Sequence, residues 1–276
     1  MSGTKFLMQL AFGCQATLIV VTILMDDESL IEYSVELVVA RHEEDLRWLR
    51  RVPEAIRTTI YNKGLTPALP EGFELRQGSR VLTLPNVGRE AHSYLTHFVE
   101  CYDSLALVTV FCQGRPFDHA PDFHEILRCL AEKGERSVPF RWYGFLDESD
   151  DLFGRRLFVP WSKNLDGREL STGRLFEQLF GEPSPHFFYF RGGAQFAVTR
   201  EAVHERPREF YVRAMELSLS INDAAHSLER FWDRLFGNPV IDPAHLGADG
   251  VRYWKRIRRI EEGGEVDQPH TPDDSV

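Results

Sequence analysis

The sequence predicts an α/β protein, built as one three-layer α/β/α domain around a mainly parallel central sheet. Two observations carry that prediction. Short apolar strands alternate with amphipathic helical stripes through the first half of the chain, the order expected of a parallel sheet with helices on its faces. The first clear strand, Val35 to Arg41 (VELVVAR), is a near-continuous apolar run, as in a strand covered on both sides. The length of 276 residues suits one large domain or two small ones, with enough chain to bury a substantial core.

The elements follow in order. Glu43, Glu44 and Asp45 start a short helix with Leu46, Trp48 and Leu49 turned inward, and Pro53 ends it. Arg57 to Tyr61 is a second strand, closed by the turn Asn62-Lys63-Gly64. The Pro/Gly-rich stretch from Thr66 to Gly78 is a loop, and Arg80 to Leu84 a short strand. After Asn86, the residues Ala91, Tyr94, Leu95, Phe98, Val99 and Tyr102 recur at helical spacing. Ala106 to Cys112 is a strand, and Phe123, Ile126, Leu127, Leu130 and Ala131 form the next helical stripe. The middle, Glu135 to Leu170, is expected to be an irregular excursion containing a solvated acid run, Asp147, Glu148, Asp150 and Asp151. A helix from Ser171 to Gly181 follows. Strand segments His186–Phe190 and Ala194–Val198 then flank Arg191-Gly192-Gly193. A helix after Pro207 and a last core helix at about Asp223 to Phe236 complete the domain. The polar tail from Gly263 to Val276 is expected to be disordered.

Composition narrows the function. The apolar fraction of 43% and the 20 phenylalanines belong to a folded globular chain, and the net charge of −10 argues against a broad nucleic-acid surface. The four cysteines have no metal-site spacing and are expected to be buried free thiols. Phe6 to Met25 carries no charge and is about long enough to cross a bilayer, although Gln9 and Gln15 interrupt it. A single-pass membrane-associated protein and a cytoplasmic one both remain open from this pattern.

Several groups can carry chemistry. Asn86, Gly88 and Arg89 place a polar cap, a glycine and a guanidinium at a helix N-terminus, where a phosphate or sugar hydroxyl can bind. Gln113, Gly114, Arg115 and His119 lie just past a strand's C-terminal end, where α/β sheets bind ligands. Asp118, His119, Asp122 and His124 offer a metal-ligand alternative, or simply helix-start caps. Glu229 falls within the apolar face formed by Ala225, Leu228, Trp232, Leu235 and Phe236. A carboxylate there must be paired with an arginine or open into a pocket, where partial desolvation would suit it to proton abstraction. Gly192 and Gly193 read either as backbone packed close to an acceptor or as a tight turn.

The segments VELVVARHEEDLRWL, TIYNKG, LPNVGREAHSYLTHFVECYD, VFCQGRPFDH, GAQFAVTRE and LERFWDRLFG resemble the family called domain of unknown function 3431, over roughly Val35 to Gly237. Their order also resembles the donor half of GT-A-type glycosyltransferases. That resemblance implies a GT-A-like catalytic domain over 30–262, after an N-terminal apolar segment 1–29 and before the tail 263–276. It implies a nucleotide-sugar donor and a hydroxyl acceptor as partners, with no nucleic acid, and a membrane contact only through residues 6–25. It implies Glu229 as the catalytic base, and Arg41, Asn86, Gly88, Arg89, Gln113, Gly114, Arg115 and His119 as donor contacts. Gly192, Gly193 and Gln195 would border the acceptor. Where that class carries an Asp-x-Asp metal motif, this chain has Gln113-Gly114-Arg115. No metal cofactor is therefore expected, with arginines neutralising the diphosphate in its place. The same departure fits a non-catalytic carbohydrate- or nucleotide-binding module, and the Asp/His cluster would fit a metal-dependent hydrolase.

Overall fold

A computed structural model describes residues 34–69, 72–133, 138–155, 168–237, 241–247, 250–253, 258–261 and 264–267. The apolar segment Phe6–Met25 lies outside them. Among the described residues, no helix is long and apolar enough to cross a membrane.

The protein is mixed α/β with a mainly parallel central sheet. Six strands lie in the order β3-β2-β1-β4-β8-β5. They are β1 (Val35–Arg41), β2 (Ile56–Asn62), β3 (Arg80–Thr83), β4 (Val108–Gln113), β5 (Phe140–Trp142) and β8 (Phe196–Thr199). β1 pairs in parallel with both β2 and β4, and β2 with β3. β8 runs antiparallel to both of its neighbours, β4 and β5. Alternate residues of the central strands feed two cores. Val38, Phe111 and Phe196 point to one that also holds Tyr94, Phe98, Tyr211 and Trp232. Val35, Leu37, Val39, Val110 and Cys112 point to the other, with Leu46, Leu49, Phe123 and Leu127. Helix α1 (Arg89–Glu100) thus covers one face and α2 (Phe123–Lys133) the other, which explains why β1 reads as unbroken apolar sequence. Each such fully buried side chain contributes roughly 1.5–3 kcal/mol.

Polar groups are also buried in this sheet. The Glu36 carboxylate accepts hydrogen bonds from Arg57 and, at 2.6 Å, from the Thr59 hydroxyl. His97 lies beside it on α1, its Nδ1 3.2 Å from the Tyr61 hydroxyl. Cys101 and Cys112 are buried free thiols, and Cys129 is half-buried.

Several expectations need correction. The middle of the chain is not an irregular excursion throughout. Beyond β5 it contains β6 (Leu146–Asp151), which joins β7 (Phe187–Phe190) and β9 (Val251–Tyr253) in a second, antiparallel sheet ordered β7-β6-β9. The acid run is that strand rather than a solvated loop. Asp147 and Asp150 are buried because arginines pair with them: Arg191 Nε meets Asp147 at 2.6 Å, and Arg230 meets Asp150 at 2.6 and 2.9 Å. The expected last helix is two short ones, α6 (Ala224–Glu229) and α7 (Trp232–Leu235). The break falls at Arg230 and Phe231, where the guanidinium turns to Asp150 and Phe231 adopts φ −145°. The strands around Arg191-Gly192-Gly193 belong to different sheets, so the glycines carry the chain from the smaller sheet to the larger. The tail, expected to be disordered from Gly263, includes a strand, β11 (Gly264–Asp267), paired antiparallel with β10 (Arg258–Glu261). Helices α3 (Thr172–Phe180) and α5 (Arg208–Ser220) stand where expected, and a short α4 (Arg200–His204) follows β8.

Candidate active site

The strand order creates a topological switch point. From β1 the chain moves outward through β2 and β3, then returns to place β4 on β1's other side. The loops leaving the C-terminal ends of β1 and β4 turn to the same face and are joined there, Trp48 Nε1 donating to the Gly114 carbonyl at 2.9 Å, and such strand ends are where α/β sheets receive ligands. Because β8 is antiparallel, with Phe196 opposite Phe111, its incoming segment Gly192–Gln195 reaches the same edge. Residues 86–89, 113–119 and 192–195 therefore meet at one end of the sheet, and Glu229 is tied to them.

That tie is a hydrogen bond. The Gly193 N–H donates to Glu229 Oε1 at 2.5 Å, at the C-terminal end of α6. The Glu229 side chain is 17% exposed, and its Oε2 lies 3.9 Å from Arg230. That arginine is already engaged by Asp150 and stacks over Phe190, so Glu229 is not held in a tight ion pair. One carboxylate oxygen is anchored by the main chain, and the other has the Arg230 guanidinium 3.9 Å away. Gly193 must be glycine twice over: its φ is +94°, and a Cβ would lie 2.5 Å from His119 Cγ. His119, half-buried, packs against this glycine and stacks with Phe145.

Gly88 (φ +61°) and Arg89 (φ +48°) form a left-handed turn at the start of α1. No side chain caps this helix; its first bond runs from the His92 N–H to the Gly88 carbonyl. Asn86 is thus not the cap. It is exposed, with Nδ2 3.2 Å from His42 Nε2. The Arg89 side chain is 60% exposed, with Nε 3.6 Å from Glu90. Among the described residues, the non-glycine positions with positive φ are Arg89, Ala194 and Asp223: at the start of α1, after Gly193, and at the start of Glu229's helix. Such backbone strain is retained where surrounding structure holds it, often at functional sites.

Other expected contacts sort differently. Arg41 is buried, its guanidinium bonded to the carbonyls of His42, Glu44 and Thr66, the Asn62 side chain and the Thr66 hydroxyl. It organises the loops after β1 and β2. Gln195 is also buried and donates to the Pro116 carbonyl at 2.9 Å, fastening the glycine segment to the 113–119 loop. Gly114 is buried; its carbonyl accepts from Trp48 Nε1 at 2.9 Å. Gln113 is half-buried, Gly192 likewise, and Arg115 is exposed in a pair with Asp118 at 3.3 Å. His124 Nε2 turns to the Trp48 carbonyl. Among the described residues, no three His, Cys, Asp or Glu side chains gather as metal ligands, so Asp118, His119, Asp122 and His124 do not form the cluster a hydrolase would need.

Sequence reasoning missed Glu90, Lys63 and His226. Burial raises the Glu90 pKa, opposed by Arg89 and reinforced by the Glu229 charge, which places the two carboxylates in one field. Burial, with Arg89, lowers that of His226. Lys63, at the end of β2, donates to the carbonyls of Val87, at 2.6 Å, and of Arg89. Glu90 reads in sequence as an ordinary first-turn acid and Lys63 as a turn residue, so neither gives a signal before the chain is folded.

The family described as protein of unknown function (DUF3431) matches residues 37–246. No curated protein matches the chain. Among solved structures, CMP:2-keto-3-deoxy-manno-octonic acid synthetase complexed with CTP is similar at 10% identity and a TM-score of 0.30, covering 70% of this chain and 84% of its own.

Proposed function

The chain belongs to the DUF3431 family, and we propose that it is a glycosyltransferase-like enzyme, metal-independent and inverting, that moves a sugar from a nucleotide donor to a hydroxyl acceptor. The observation that carries this function is the meeting of two unlike halves at one switch point: an arginine-bearing helix start, and a carboxylate anchored by a glycine backbone. The first suits a diphosphate and the second a proton. Glu229 takes the proton of the acceptor hydroxyl. The acceptor oxygen forms a bond to the anomeric carbon as the bond from that carbon to the diphosphate oxygen breaks. The electron pair leaves with the diphosphate, which Arg89 and Arg115 stabilise in place of a metal. In this proposal Gln113 and His119 contact the donor sugar, and Gly192 and Gly193 border the acceptor.

Gln113-Gly114-Arg115 also favours a second function, a binding module that holds such ligands without turning them over. A thermal-shift screen of nucleoside diphosphates and nucleotide sugars, with and without EDTA, tests the first half of the proposal; no shift with any nucleotide would sink the transferase and the nucleotide-binding module, leaving only a module for free carbohydrate. Donor consumption on adding candidate acceptors separates enzyme from module.

A further inference from the structure

Lys63 takes no part in the transfer just described, yet it is 7% exposed beside the turn that begins α1. Its ammonium hydrogen bonds go to two main-chain carbonyls, those of Val87 and Arg89, which bracket Gly88. Its own N–H donates to the Arg41 carbonyl at 2.8 Å, so the end of β2 is fixed to β1. Arg89 has a β-carbon and sits at φ +48°, a conformation that L-residues hold only when something offsets the strain. Two charge-assisted hydrogen bonds onto the flanking carbonyls are such an offset. They hold those carbonyls on the lysine.

We propose that Lys63 is a positioning residue: by holding the Val87 and Arg89 carbonyls, its ammonium fixes the left-handed Gly88–Arg89 turn and so aims Arg89 and the first-turn N–H groups of α1 at an anionic ligand. The identity of that ligand as a diphosphate rests on the function proposed above; the clamp itself does not. Because the clamp needs a charged lysine, it carries a pH dependence. Burial pushes the Lys63 pKa down to about 8, with Glu90 opposing the shift. The charged and titratable groups around it are Arg89, Glu90 and His92 on α1, with Arg41, His42 and Glu43 flanking the turn after β2, His42 reaching Asn86 at 3.2 Å. The arginines keep their charge across neutral and alkaline pH. Burial and the Lys63 charge both push the His92 pKa down, so that imidazole is neutral where the lysine titrates.

Amide NMR of the full chain across pH 6 to 9.5 tests this, using wild type, Lys63→Met, Lys63→Arg, and Glu90→Gln to remove the neighbouring carboxyl's titration. In wild type, the amides of Gly88, Arg89 and residue 90 shift together with an apparent pKa near 8, and in Glu90→Gln they still shift together but at lower pH, because the carboxylate that opposes the shift is gone. In Lys63→Met they do not titrate and sit at the high-pH positions; in Lys63→Arg they stay at the low-pH positions. Pyrophosphate, the probe for the anion, binds roughly tenfold more weakly to Lys63→Met at pH 7, and Lys63→Arg restores most of that loss. Turn amides in Lys63→Met that match neutral wild type overturn the clamp. An intact amide titration with no pyrophosphate binding to any variant supports the clamp and refutes the diphosphate site.

Discussion

Gly193→Ala isolates the backbone geometry on which the site depends. The wild-type residue combines a φ of +94° with close packing of the His119 ring, and its N–H holds Glu229. An added methyl meets two separate costs. The positive φ penalises any L-residue by about 1–2 kcal/mol. The methyl also stands 2.5 Å from His119 Cγ, 2.6 Å from Cδ2 and 2.8 Å from Cβ, so the imidazole must leave its place. Displacing a half-buried ring from its packing adds about 1–2 kcal/mol. Together these give a loss of about 3 kcal/mol, read as a lowered urea midpoint with unchanged slope. The His119→Gly background, which lacks the ring and the Cβ, removes the collision and keeps the φ penalty. Gly193→Ala should then cost only about 1–2 kcal/mol, a coupling of about 1–2 kcal/mol between the sites. A single-mutant loss below about 0.5 kcal/mol, or strict additivity in the double mutant, would refute the packing argument.

Further outcomes follow from the same geometry. Asp150→Asn should destabilise by about 3 kcal/mol in urea unfolding, since it strips the carboxylate from a guanidinium that is 3% exposed, whereas Asp150→Asn with Arg230→Met should recover part of that loss. Burial holds the His97 pKa down to about 4, against an unfolded value of 6.5. The unfolded chain therefore binds the extra proton between these values, and stability is complete above pH 6.5, falling by up to about 3 kcal/mol as pH drops toward 4. His97→Gln should flatten that part of the stability–pH curve; an unchanged slope would show that other groups cause it. Arg115→Ala should leave stability within about 0.5 kcal/mol, because its partner Asp118 is exposed and such pairs contribute little, so any loss of nucleotide binding in that variant reports a ligand contact.

The central sheet was legible because its strands are short, apolar and separated by helical stripes of matching polarity. Val35–Arg41 announces a strand covered on both faces, and the two cores beneath alternate residues confirm it. The acid strand β6 was not legible. Four carboxylates in five residues look solvated until Arg191 and Arg230, about 40 and 80 positions later, are folded against two of them. The break between α6 and α7 was hidden for the same reason, since the apolar spacing from Ala225 to Phe236 is helical and only the pull of Asp150 on Arg230 interrupts it. In the site, Glu229 stood out as a carboxylate on an apolar face, and the glycines as backbone able to approach closely. The burial of Arg41 and Gln195 in bonds to neighbouring loops was not legible, because residue type and position say nothing about where a side chain's hydrogen bonds go. Lys63 and Glu90 passed unnoticed because each has an ordinary role at its sequence position, and burial alone makes them unusual.

The most direct measurement pairs binding with turnover for Glu229→Gln, using the nucleotide sugar that gives wild type its largest thermal shift, in EDTA. The amide oxygen can still accept the Gly193 N–H, so the fold and the donor site should survive, with donor affinity within about threefold of wild type. With its proton acceptor gone, sugar transfer should fall by at least about a hundredfold. Transfer that persists in Glu229→Gln, or a donor affinity that collapses along with stability, would contradict the assignment of this carboxylate as the base of a nucleotide-sugar site.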